Sequence, residues 1–206
     1  MRLFVAVYPD EAARRALEGL QARTLAQMAA PALHEQDSLT PQGALRAPKS
    51  PWRGTEAGQL HLTLQFLGDQ LTIHQQEEVE NALEKVGGAL APFSMTCAGA
   101  GAFASPRRAT ILWAGLGSEE ARQLAGAVAG ALAPLGLKPD KPFAPHVTFA
   151  RSKHPHDVGA WAEKERETIW CEAGWKVEKF ALVSSEAVLG GHEHRVLKEY
   201  LLGGRA

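Results

Sequence analysis

Leu60-His61-Leu62-Thr63-Leu64 alternates polar and aliphatic side chains, and Pro145-His146-Val147-Thr148-Phe149-Ala150-Arg151 opens with the same alternation in the second half of the chain. In an extended strand, residues i and i+2 share a face. His61 and Thr63 therefore project together, as do His146 and Thr148, while Leu62, Leu64, Val147 and Phe149 take the opposite side. An imidazole beside a hydroxyl is costly to bury without polar partners. One such face can be satisfied by neighbouring main chain; two of them suggest a polar cleft.

Upstream of the first strand, Leu3–Tyr8 has the length and composition of a buried strand. From Asp10 to about Met28 the period becomes helical, with Ala13, Ala16, Leu17 and Leu20 on one stripe and Arg14, Arg15 and Glu18 opposite. Residues 30–58 lose all period and hold Pro31, Pro41, Pro48 and Pro51, the composition of a long Pro/Gly-rich loop insertion. Downstream, Thr72 and Gln75 form a capping box ahead of the helical stripe Val79, Ala82, Leu83 and Val86. Strands are expected at 93–98 and 109–116. Ser118 then caps a third helix with stripe Leu124, Val128, Ala131, Leu132 and Leu135, which Gly136 ends. A strand from His146 to about Ala150, a short helix near 157–166 and strands at 177–184 and 195–202 complete the chain.

Read as blocks, the chain repeats itself. Leu3–Tyr8, a helix and His61–Leu64 form one strand–helix–strand unit; Ile111–Leu116, a helix and His146–Phe149 form another. The expectation is a single domain over 1–206 made of two pseudo-symmetric lobes, with the histidine strands at equivalent places.

The formal net charge of −1 over 206 residues supplies no global basic field, so any nucleic-acid contact must be local. Coating a duplex by charge alone is disfavoured; gripping one RNA terminus is not. Cys97 and Cys171 make no CxxC or zinc-knuckle spacing and read as reduced, buried thiols. The N-terminal apolar run is too short for a signal peptide, and no later run reaches membrane-spanning length, so a cytoplasmic chain is expected, with no membrane partner.

Two imidazoles suit a phosphodiester. Opening a cyclic phosphate needs a base for water, an acid for the departing ribose oxygen and donors for the non-bridging oxygens. Histidine titrates near neutrality, so two copies can hold opposite protonation states, and the threonine hydroxyls of Thr63 and Thr148 can donate to phosphate oxygens. This scheme requires no metal.

These segments resemble the 2H phosphoesterase superfamily, and within it the bacterial RNA 2′,3′-cyclic phosphodiesterases, historically called 2′-5′ RNA ligases. The resemblance extends to Arg2-Leu3-Phe4-Val5-Ala6-Val7, to Gly101-Ala102-Phe103 leading into Ile111-Leu112-Trp113-Ala114-Gly115, and to Phe180-Ala181-Leu182-Val183-Ser184-Ser185. It implies an α+β, bilobal, duplicated fold, with two antiparallel sheets flanked by helices around a central cleft. It further implies that His61 is the proton donor and His146 the proton acceptor in hydrolysis to a 2′-phosphate, a division the residues alone leave open. Arg151 matches a basic position that follows the second motif in relatives and is assigned to substrate, as are Thr63 and Thr148. Phe103, ahead of a loop, is a candidate base-stacking platform. The implied partner is RNA ending in a 2′,3′-cyclic phosphate, tRNA fragments included, with 2′-5′ ligation as the reverse reaction and a monomer sufficient. Near the C-terminus, Gly191-His192-Glu193-His194 stands where relatives commonly carry an aromatic residue; His194 is the available substitute.

His154-Pro155-His156 and His192-Glu193-His194 are spaced to hold zinc from one strand face, but no further ligand completes either. No metal and no cofactor are expected. Other readings stay open: an RNA-end binding module without turnover, a zinc-dependent hydrolase, or a phosphodiesterase for a small cyclic nucleotide.

Overall fold

The first strand, β1 (Arg2–Val7), carries Leu3, Val5 and Val7 on one face and Phe4 and Ala6 on the other. A computed structural model describes residues 2–29, 50–69, 71–188 and 191–203 of the chain. Helix α1 (Glu11–Ala29) follows, its first turn capped by Asp10, whose Oδ1 accepts from Ala13 N at 2.8 Å. The expected 30–58 loop divides: residues 30–49 lie outside the described residues, and residues 50–58 include a short strand, β2 (Trp52–Gly54), and the start of a 3-10 turn over Ala57–Gln59. Three residues are too few to show a period.

Strand β3 (Leu62–Gly68) leads into α2 (Ile73–Ala89), where the Thr72–Gln75 capping box forms in both directions, at 3.2 and 3.0 Å. Strands β4 (Phe93–Ala98), β5 (Ala100–Phe103) and β6 (Ala109–Gly115) precede α3 (Glu119–Leu132). Ser118 caps α3 through Ala121 N at 3.1 Å, and Gly136, at φ 78°, turns the chain away. Strand β7 (His146–His156), α4 (Gly159–Glu165), β8 (Ile169–Val177), β9 (Lys179–Val188) and β10 (Gly191–Leu201) finish the fold.

Both sheets are antiparallel and they are unequal. Eight strands run in the order β10-β9-β1-β3-β7-β6-β5 with β2 also beside β7, and β4 pairs with β8 in a separate ribbon. The two halves of the large sheet meet at β3 and β7 through one partner pair, Leu62 and Val147. Along the same edge of β7, β2 takes over: Gly54 faces Ala150, Arg53 faces Arg151 and Trp52 faces Ser152. Gln21 of α1 fixes this junction, its Nε2 donating to Thr55 O at 2.8 Å and Phe149 O at 2.6 Å.

One face of the large sheet is sealed by the helices over Leu3, Val5, Leu62, Leu64, Val147 and Phe149. On the other, among the described residues, the cluster of buried apolar side chains is small: Phe4, Ala6, Ala181 and Val183, with Tyr8 packed beside it. That thinly covered face carries the site.

Three differences from the sequence reading have physical causes. β5 escaped because Ala-Gly-Ala-Phe has little strand propensity. β8 escaped because its register slips opposite Cys97 and because Gly174, at φ 72°, breaks its alternation. β7 extends past Ala150 through Pro155, where no β2 partner lies beyond Trp52 and a missing N–H costs little. The small ribbon also makes Cys97 and Cys171 direct cross-strand partners, both buried and both free thiols.

Candidate active site

His61 lies one residue before β3 and His146 is the first residue of β7. Both rings are half-buried, and both are held alike. His61 Nδ1 is 2.6 Å from Gln59 O, and His146 Nδ1 is 2.7 Å from Ala144 O. A carbonyl can only accept, so each Nδ1 carries the hydrogen and each neutral ring keeps its lone pair on Nε2. In both cases the accepting carbonyl is two residues upstream. Thr63 and Thr148 are half-buried, and among the described residues neither hydroxyl makes a hydrogen bond.

Cross-strand register assembles the rest of the site. Gly101, Trp113 and Thr148 form one row across β5, β6 and β7. A Cβ on Gly101 would sit 2.4 Å from the Trp113 ring, so glycine is what lets the indole lie across β5. The next row reads Phe103, Ile111, Arg151 and Arg53. Phe103 is 36% exposed, enough to offer its ring to a ligand, and its centroid lies 5.5 Å from Trp113 and 5.1 Å, edge-on, from His146. On the other side, His61 is walled by Phe4 at 4.9 Å, Tyr8 at 5.9 Å and His194 at 5.2 Å.

Burial pushes His61 down to about 4; the Gln59 carbonyl opposes this, and His194, Arg151 and His146 add to it by like charge. His146 is also held below the ordinary histidine value, by burial first and by Arg151 second, against the Ala144 hydrogen bond. His194 is lowered by burial, His192 and Arg151. Every charged neighbour in these three balances is cationic, and no carboxylate contributes. The site thus disfavours further positive charge on its imidazoles and is electrostatically matched to an anion.

All the sequence-derived candidates, His61, Thr63, Phe103, His146, Thr148 and Arg151, fall on this one face or at its rim. Trp113, Tyr8 and Arg53 were missed: cross-strand register places Trp113 and Arg53, and ring packing against His61 places Tyr8. His194, marked in sequence as a substitute aromatic, stands against His61 and Phe4 with its Nδ1 buried and, among the described residues, without a partner. The other spaced imidazoles have separate contacts: His156 Nε2 lies 2.9 Å from Ser152 Oγ, and His192 Nδ1 lies 3.4 Å from Ser185 Oγ. Among the described residues, no group of three or more His, Cys, Asp or Glu side chains is placed to hold a metal ion.

A family model described as the 2′-5′ RNA ligase superfamily matches residues 9–188. An RNA 2′,3′-cyclic phosphodiesterase of Aquifex aeolicus is 36% identical over 154 residues, which is 72% of this chain and 81% of the relative. One from Thermus thermophilus is 31% identical over 214 residues, spanning 99% of this chain and 91% of the relative. A crystal structure of a Thermus thermophilus protein superposes with a TM-score of 0.78 at 28% identity, covering 100% of both chains.

Proposed function

The chain belongs to the 2′-5′ RNA ligase superfamily, and on that premise we propose an RNA 2′,3′-cyclic phosphodiesterase in which His61 and His146 open the terminal ring to a 2′-phosphate. The observation that carries this reading is the matched pair of ring–carbonyl hydrogen bonds, which leave two Nε2 atoms on one face, where the charged groups that shift the two rings are all cationic.

His146 takes a proton from water at Nε2 as the water attacks phosphorus. His61, charged once a phosphate anion lies beside it, gives its Nε2 proton to the 3′ oxygen as the P–O3′ bond breaks. The bound anion reverses the electrostatics of the free site, because it raises imidazole pKa values that burial and Arg151 had lowered. Thr63 and Thr148 donate to the non-bridging oxygens, and Arg151 balances their charge. Phe103 offers a ring for the terminal nucleoside. A 5′-hydroxyl in place of water would yield a 2′-5′ linkage by the same transfers.

The site is complete within one chain, which supports action as a monomer. Free, buried Cys97 and Cys171 suit a reducing cytoplasm. Among the described residues no helix is long and apolar enough to cross a membrane. The substrates are RNA ends, tRNA fragments among them.

The test is hydrolysis of an oligoribonucleotide ending in 2′,3′-cyclic phosphate, in excess EDTA, with the product mapped. A 2′-phosphate made by the wild type and lost in His61→Ala and His146→Ala is expected. Binding without turnover, or turnover only after zinc is supplied, overturns the reading.

A further inference from the structure

Resting on the phosphodiesterase reading, we propose that Arg53 is a second phosphate-binding residue, which holds the internucleotide phosphate one step 5′ of the reacting end. Arg53 and Arg151 are direct antiparallel partners on β2 and β7, so their side chains leave the sheet on the same face. Arg151 lies in the same cross-strand row as Phe103, whose ring is edge-on to His146 at 5.1 Å, and its charge acts on His61, His146 and His194. Arg53 is one strand farther out, about 4.8 Å across the sheet.

The pair is unfavourable by itself. Like charges directly opposite each other destabilise a sheet, and among the described residues neither arginine enters an ion pair. Both are exposed. Two phosphates, one at each guanidinium group, offset the repulsion.

β2 is also held rigidly to the catalytic strand. Thr55 N donates to Phe149 O at 2.8 Å, Thr55 Oγ1 donates to Thr148 O at 3.1 Å, and Gln21 adds its two bonds. The segment that follows Arg53 is thereby tied to the backbone of Thr148. The row Phe103, Ile111, Arg151, Arg53 runs from a ring beside His146 to a guanidinium beyond it. It has the order of a nucleotide platform, a reacting phosphate and a second phosphate. A cyclic mononucleotide has no second phosphate; an RNA end does. The row therefore makes the protein selective for polynucleotide ends.

The experiment compares kcat/KM for a hexaribonucleotide ending in 2′,3′-cyclic phosphate with that for 2′,3′-cyclic AMP, in wild type, Arg53→Gln and Arg53→Lys. Arg53→Gln is expected to lower the hexamer-to-mononucleotide ratio about tenfold, and Arg53→Lys to restore most of it. The salt dependence of the hexamer reaction should become shallower by about 0.7 in logarithmic slope, the loss of one single-strand phosphate contact. An unchanged ratio with active wild type overturns the role of Arg53 and leaves the phosphodiesterase reading standing. Wild type inert on both substrates overturns both.

Discussion

The two halves of the large sheet hold their histidines by the same main-chain device and surround them differently. His61 sits among Phe4, Tyr8 and His194 and is driven down to about 4. His146 sits between Phe103 and Trp113, on the strand that carries Arg151 and borders Arg53. The same ring–carbonyl bond gives the two imidazoles the same tautomer; the unequal walls then make them different groups. An acid and a base can arise in this way from one repeated unit.

The largest expected effect removes the equivalence altogether. His61→Ala and His146→Ala should each lower 2′-phosphate production by about a thousandfold, within the range of a lost general acid or base. If only one did so, the two-imidazole scheme would fail. Thr63→Val and Thr148→Val sharpen the comparison: each removes one hydroxyl from an equivalent position and should cost about tenfold in kcat/KM. A loss confined to one of them would show that the phosphate binds asymmetrically.

The unequal burial also has a thermodynamic signature. His61 is depressed in the folded chain, so between its ordinary value near 6.5 and about 4 the unfolded chain takes up a proton that the folded one does not. Stability should therefore be fully present above that window and fall as pH drops through it. In His61→Phe, chemical denaturation across the same range should show a flatter fall; an identical slope would remove His61 as its source. The smallest effect belongs to His194→Phe, which keeps a ring against Phe4 but removes a neighbour that lowers His61. Its expected result is an upward shift of His61 in an NMR titration, with a change of a few-fold or less in turnover.

Much of this was legible in the sequence because it is local. Alternation around His61 and His146 exposes a strand and its faces, and Thr72–Gln75 and Ser118 mark helix starts through bonds that span three residues. Arg53 was not legible. Its partnership with Arg151 depends on residues 55–61 leaving the sheet edge between Gly54 and Leu62, a register no short-range pattern encodes. Trp113 was hidden likewise, since a side chain of ordinary strand type becomes the wall of a site only when a particular neighbour is paired beside it, and Tyr8 was hidden because its contact with His61 is made across the fold.

The two ring–carbonyl bonds have a hereditary consequence. Gln59 and Ala144 supply their oxygens from the main chain, and any amino acid at those positions has the same atom to give. The position of each imidazole proton is thus written in backbone path and not in side-chain identity. Substitutions can accumulate around the histidines without moving that proton. A lineage can lose most of its sequence here and keep its chemistry, provided the turns ahead of the two strands keep their shape.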